Sequence, residues 1–409
     1  MENPGRIGLA VTLCLALAAF QPGDEARAAD GSAEAPAGAY RVLAPIESGN
    51  LLLFPVVRAN GKATYGTPFI TLDEGMRSGE VEVTEAGNVR GLVRPRGPAR
   101  PPAYPDDGFH VYPWRPESGR GDQVNTLVLV NHSRRPLLLL AGEIVTGGKQ
   151  DRVIAKDRIV PPDADPIDLS VFCIEPGRWT GASDTFGAAG QAPGLGFMVQ
   201  PAVREKAMVA QNQQQVWNSV HGAITQMAVA AAPSVSESVT VEIPESLGTT
   251  SYAKAMQSSA VSAKVDEAAA PLTQAREQVL AKLREEHAVG VVAAVRGEIV
   301  WADLFADTDL LSRYWTKLVR SYAAESLTEG ETHAAPTVAD AQRFLDASAG
   351  GRETSEGDVG IYRYSEVHGA GAETFVLESL LPGTGYEVHI SKMKLRGGEE
   401  EVKPRSIFH

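Results

Sequence analysis

The chain has 409 residues, with 38 Lys and Arg set against 51 Asp and Glu, a formal charge of −13. That acidity excludes a general attraction to nucleic acid or anionic lipid, so any anion would have to be held by a local cluster. Two cysteines are present, Cys14 and Cys173, too few for a disulfide framework.

The N-terminus reads as a cleavable export signal. Arg6 precedes an apolar run over residues 7–20 (IGLAVTLCLALAAF), and a polar stretch ends in Ala26-Arg27-Ala28. This order of charge, apolar core and small residues is what signal peptidase reads, with cleavage expected near Ala28. The run falls short of the roughly 20 residues that span a bilayer, and no later segment approaches that length without charge. Acylation of Cys14 is disfavoured by bulky Leu13 where a small residue is required. The exported product would carry 36 basic and 48 acidic residues, a balance of −12, with Cys173 alone and hence no internal disulfide. Core burial must then supply its stability, in two domains or one large one.

Residues 29–39 read as a disordered leader. LLLFPVVRA, Asn60-Gly61 and KATY form a hairpin signal, because Asn-Gly accepts the positive φ angles of a tight turn. EVEVTE (80–85) alternates as a strand does. Residues 94–122 are a Pro/Gly-rich insertion expected as an exposed loop, and its Arg-Gly-Asp at 120–122 reads as chance. The densest strand signal follows: 126–130, 137–146, 149–160 and 167–175. A Gly/Ala-rich loop spans 181–197, a helix runs from about Pro201 to Met227, and residues 231–262 read as a mobile connection.

In the C-terminal part, Pro271 is placed to open a helix. VGVVAAV (289–295), Arg296-Gly297 and EIVWA (298–302) predict a second hairpin. Asp307 or Thr308 can cap a long helix whose apolar stripe is Leu310, Leu311, Tyr314, Trp315, Leu318, Val319 and Tyr322. Three short strands (359–364, 372–380, 385–391) close the chain. The expected fold class is α+β. A β-rich part of antiparallel hairpins covers 40–200 and a helical, mobile connection covers 201–270. An α/β part over 271–395 packs the long helix on a small sheet, and 396–409 form a tail.

Two segments concentrate the polar chemistry: GEIVTGGKQDR (142–152) and CIEPGRW (173–179). The first fails as a phosphate loop, since Gly148 displaces the lysine, Gln150 replaces the hydroxyl, and strands flank it on both sides. As a hairpin turning at Gly147-Gly148 it sets Glu143 opposite Arg152, either a register-fixing ion pair or, with Gln150, one wall of a pocket. In the second segment Glu175 ends the stripe Ile167, Leu169, Val171, Cys173, where a carboxylate is costly unless paired or functional. Glu143 and Glu175 are thus the catalytic candidates, able to share acid and base roles, and Lys149, Gln150, Arg152, Arg178 and Trp179 are the ligand-binding candidates. Equally, such Arg–carboxylate pairs can be purely structural. Cys173 reads as a buried core residue without a histidine nearby in sequence. The eight histidines show no metal-ligand spacing, so neither metal nor cofactor is expected. Trp301-x-Asp303-x-Phe305 reads as core plus cap.

These strings, together with Gly49-Asn50-LLLFP, Thr71-LDE, Val160-Pro161 and Asp303-LF ahead of Lys317-LVRSY, resemble the ARPP-1 family of domains associated with ADP-ribosylglycohydrolases and rhodanese-phosphatase proteins. The resemblance spans about 40–391, with 94–122 as an insertion, and implies no catalytic residue. Two functional expectations stand. One is an exported, non-catalytic module for a small polar or anionic ligand or a protein partner. The other is a hydrolase or transferase of a nucleotide-like or phosphorylated substrate, using the carboxylate pair. An envelope-assembly role is a third, and whether the chain is an enzyme stays open.

Overall fold

A computed structural model describes residues 34–60, 68–85, 126–176, 186–188, 196–232, 247–273, 276–369, 371–382 and 385–395. The first half is strand-rich: β1 (Tyr40–Val42), β2 (Ile46–Ser48), β3 (Leu51–Arg58), β4 (Ile70–Thr71), α1 (Leu72–Ser78), β5 (Val81–Glu85), β6 (Thr126–Asn131), β7 (Leu137–Leu139), β8 (Ile144–Gly147), β9 (Arg152–Ile154), β10 (Arg158–Val160), β11 (Ile167–Cys173) and β12 (Phe186–Ala188). Helices follow: α2 (Pro201–Glu205), a π-helical turn (Lys206–Ala210), α3 (Gln213–Ala231), α4 (Tyr252–Gln257), α5 (Ser259–Thr273) and α6 (Arg276–Glu285). The chain then forms β13 (Ala288–Val295), β14 (Glu298–Phe305), α7 (Thr308–Ser326), α8 (Val338–Asp346), β15 (Arg352–Asp358), β16 (Tyr362–His368), β17 (Ala372–Ser379) and β18 (Glu387–Lys394). The fold is α+β.

Local signals place much of this. Arg296 and Gly297 both take positive φ, 50° and 80°, which closes β13 on β14 with Val295 opposite Glu298 in the two-residue turn that suits the twist of a hairpin. The Asp307 side chain accepts from the Leu310 N–H at 2.8 Å and caps α7, whose seven predicted stripe residues are all buried. Cys173 is buried, as read from its strand.

Tertiary pairing decides the rest. β1, β2 and β3 join the C-terminal strands in one nine-stranded antiparallel sheet, ordered β1-β3-β13-β14-β18-β17-β16-β15 with β2 on β3. The sheet beneath α7 is therefore not small. Both edges of β3 are occupied, by β1 and β2 on one side and β13 on the other, while the expected KATY arm, the expected insertion at 94–122 and the expected signal segment lie outside the described residues. One face of this sheet packs on α3, α5 and α7; the other meets Ala341, Phe344 and Leu345 of α8. A six-stranded sheet (β12-β8-β9-β11-β6-β5) and a three-stranded one (β10-β7-β4) complete the fold. Leu138 and Leu140 face the central core, and Leu137 and Leu139 face a second core between the smaller sheets, the alternation expected of a strand buried on both faces.

Several expected elements are corrected. Segments 137–146 and 149–160 are each split, at Gly142 (φ 94°) and across 155–157, so β7 and β10 pair in one sheet and β8 and β9 in another. Pro271 does not open a helix; it sits in the last turn of α5, where its missing N–H forfeits one bond shortly before the helix ends. The helix expected over 201–227 is interrupted at Gln211, whose φ is 45°. Part of the connection at 231–262 is helical, as α4 and the start of α5. No described helix is long and apolar enough to cross a membrane.

Candidate functional site

The break at Gly142 redirects Glu143. Arg204 and Met198 crowd this glycine, a Cβ on which would come within 2.9 Å of Arg204 Cδ. Glu143 is fully buried. One carboxylate oxygen accepts from the Leu140 N–H at 2.8 Å; the other pairs with Lys317 of α7, whose ammonium also lies 2.8 Å from Asp73 in the first turn of α1. Gly196 seals the group, because a Cβ there would collide with the Asp73 carboxylate and the Lys317 stem. Burial raises the Glu143 pKa against the pull of Lys317, with Asp73 adding to the rise. Burial works against the Lys317 charge, yet Asp73 and Glu143 outweigh it and lift the lysine.

The expected Glu143–Arg152 pair is absent. β8 and β9 register two residues further on, with Val145 opposite Arg152 and Ile144 opposite Val153. Their loop is held open from within and without: Asp151 Oδ1 accepts from the Gly147 N–H at 3.2 Å, and Glu85 Oε1 accepts from the Lys149 N–H at 3.0 Å. Gly148, at φ 51°, is pressed between Phe186 and Glu85, leaving no room for a side chain. Arg152 donates to the Gln150 carbonyl at 2.6 Å. Gln150 itself is fully buried.

Glu175 does come to this loop. Its Oε2 accepts from the Asp151 N–H at 3.2 Å and its Oε1 pairs with Lys254 at 3.1 Å. Asp151 Oδ2 in turn accepts from Ser251 Oγ at 2.6 Å, the residue that caps α4. Cys173 stands opposite Arg152. Burial pushes its thiol up to about 11, Arg152 opposing and Glu85 reinforcing, so little thiolate forms at neutral pH. The structure thus joins Lys149, Gln150, Arg152 and Glu175 around one loop and sends Glu143 elsewhere; Arg178 and Trp179 lie outside the described residues.

A further buried constellation gathers around Asp303, which the sequence marks only as part of a core-plus-cap corner. Trp301, Asp303 and Phe305 on β14 face His389, Ser391 and Met393 on β18 in register. His389 Nδ1 lies 2.6 Å from Asp157 Oδ2 and Nε2 lies 3.1 Å from Asp303 Oδ1. A carboxylate only accepts, so both ring nitrogens carry protons and the ring is an imidazolium. Arg204 Nη1 sits 2.9 Å from Asp303 Oδ1, Nη2 donates to Ser391 Oγ at 3.0 Å, and the guanidinium lies 4.5 Å from the centre of the Trp301 ring. Tyr322 donates to Asp303, and the Ala141 N–H donates to Asp157 at 2.7 Å. Burial opposes the Asp303 charge, but Arg204 and His389 hold its pKa far below the usual carboxylate range. Burial likewise opposes the His389 charge, and Asp157 and Asp303 carry its pKa up to about 9. The available signal was one carboxylate, Asp303, inside the apolar stretch of β14, which by itself says only "buried and paired".

A model of one protein family, described as the ARG and Rhodanese-Phosphatase-superfamily-associated Protein domain (ARPP-1), matches residues 39–393. The chain belongs to the ARPP-1 family. No curated protein and no solved structure matches it. The match takes in both buried networks and the Gly147–Asp151 loop, so the site of this ARPP-1 protein has to be argued from its own geometry. Among the described residues no group of His, Cys, Asp and Glu is arranged to hold a metal ion. A groove of about 390 Å³ lined by Gly297, Glu298, Ile299, His333, Phe344 and Lys394 among others contains none of the candidate site residues.

The two networks differ in what they predict. Lys317→Met leaves Glu143 and Asp73 without their shared cation and should destabilise the fold by about 3–5 kcal/mol in urea unfolding, with part of the loss recovered in the double variant Lys317→Met/Glu143→Leu. For His389, the folded protein keeps a proton up to about pH 9 that the unfolded chain releases near 6.5. Its contribution is complete below pH 6.5 and disappears as pH rises through 9. Urea midpoints of the wild type should fall across that window, whereas His389→Gln should start lower and lack this decline.

Proposed function

We propose that this ARPP-1 protein is exported and serves as a non-catalytic binding module, engaging a small polar ligand at the Gly147–Asp151 loop with Arg152, Glu175 and Lys254. What supports it most is the separation of the two carboxylates. Glu143 spends both oxygens on Lys317 and the Leu140 N–H, whereas Glu175 spends its own on Lys254 and the Asp151 N–H. A carboxylate pair that shares acid and base roles needs both groups at one reacting centre, and Glu143 and Glu175 lie in different networks. The hydrolase or transferase alternative loses one of its two groups. Glu175, by contrast, is buried beside a lysine whose side chain is 54% exposed, an arrangement that holds a cation at the boundary of the loop and solvent. Export is supported by the charged, apolar and small-residue zones of residues 1–28.

Two measurements test this. N-terminal sequencing of the exported fraction should find a chain beginning at Ala29; a full-length chain confined to the cytoplasm overturns the export reading. In thermal-shift titrations against ADP-ribose, nucleotides, sugar phosphates and uncharged bases, one compound at about 100 Kd should stabilise the fold by about 2.7 kcal/mol. That effect should fade in Glu175→Gln and Lys254→Met while the compound is recovered unchanged. Turnover of the compound that disappears in Glu175→Gln would establish an enzyme instead.

A further inference from the structure

The Gly147–Asp151 loop is short of partners at one place. Its Gly147, Lys149 and Asp151 N–H groups donate to Asp151, Glu85 and Glu175 carboxylates, so these donors are not available to cradle a phosphate. Charge is balanced as well: Glu85, Asp151 and Glu175 accompany Lys149, Arg152 and Lys254. Against this saturated background Gln150 is fully buried, and neither Nε2 nor Oε1 has a hydrogen-bond partner. Among the described residues it is the one buried side chain with two such atoms; the remainder have one apiece. A buried amide without partners is costly, and native proteins retain few.

One strand away the same side-chain type shows what it can do. The Gln213 amide accepts from the Cys173 N–H and donates to the Cys173 carbonyl, both at 2.9 Å. An amide thus reads an N–H and a C=O presented side by side, and Cys173 is the residue opposite Arg152 in the sheet.

We propose that Gln150 is the ligand-reading group of this loop, and that its ligand is a small uncharged molecule presenting an N–H and a C=O side by side, as a carboxamide or a nucleobase edge does. This rests on the binding-module reading and narrows it from polar or anionic ligands to neutral ones. The loop supplies the donor and acceptor through one side chain, while its carboxylates are engaged by main-chain N–H groups and by Lys254 and so serve to position the loop.

Calorimetric titration of the wild type, Gln150→Leu and Gln150→Met with uracil, benzamide and inorganic phosphate tests it, the unbranched methionine carrying the comparison should the leucine variant not fold. The expected result is that uracil or benzamide binds the wild type, that affinity falls about tenfold or more in the variant, and that the ligand-free variant melts no lower than the wild type. Equal affinity for wild type and variant overturns the role of Gln150 and leaves the binding module standing. Binding of phosphate alone overturns the neutral-ligand assignment. Failure of every compound here and in the wider thermal-shift panel removes both readings together.

Discussion

The interaction on which the rest of this structure depends is the four-charge group of Asp157, His389, Asp303 and Arg204. Two carboxylates and two cations sit with side chains almost wholly removed from water, where an unpaired charge could not persist. Every member comes from a different place: the break between β9 and β10, β18, β14 and α2. Satisfying all four at once requires the nine-stranded sheet, the first helix of the helical layer and the smaller sheets to meet in one arrangement. Arg204 stacked on Trp301 and His389 tilted against Phe305 at 4.8 Å extend that requirement into the surrounding apolar core. A network of this kind is weak evidence for net stability but strong evidence for a single geometry, since half of it is worse than none.

The second network repeats the logic at lower balance. Lys317 serves both Glu143 and Asp73, so α7, α1 and the β7–β8 break are tied at one ammonium. Two carboxylates around one cation explain why burial can raise Glu143 while the lysine stays charged. Arg313, one turn before Lys317, adds a partner for Glu74, the residue next to Asp73 and the closing member of the α1 capping box. The long helix therefore reads the start of a short one through two adjacent acidic residues. Both carboxylate oxygens of Glu143 are thereby engaged within the fold.

The Gly147–Asp151 loop differs from both. Its carboxylates are buried while Lys254 reaches solvent, its Gly147, Lys149 and Asp151 N–H groups are taken by carboxylates, and Gly148 could carry no side chain without meeting Phe186 or Glu85. Within it Gln150 is buried with both amide atoms lacking hydrogen-bond partners, the feature on which the proposed binding role rests.

What the amino-acid sequence determined by itself was whatever depends on neighbours a few residues apart. The Arg296-Gly297 hairpin, the Asp307 cap and the α7 stripe were legible because turn chemistry, capping and 3.6-residue periodicity are local. The two polar strings were read as one candidate site that included Glu143; Lys149, Gln150, Arg152 and Glu175 do gather at one loop, and Glu143 does not. The register of β8 on β9 was not legible: Gly147-Gly148 suits a two-residue turn equally well, and Glu85, 64 residues away, helps hold the wider loop open. Nor was the partner of Glu143, which lies 174 residues further along the chain. Only the tertiary structure could decide these, because the energy of burying a charge depends on which opposite charge the whole fold delivers to it.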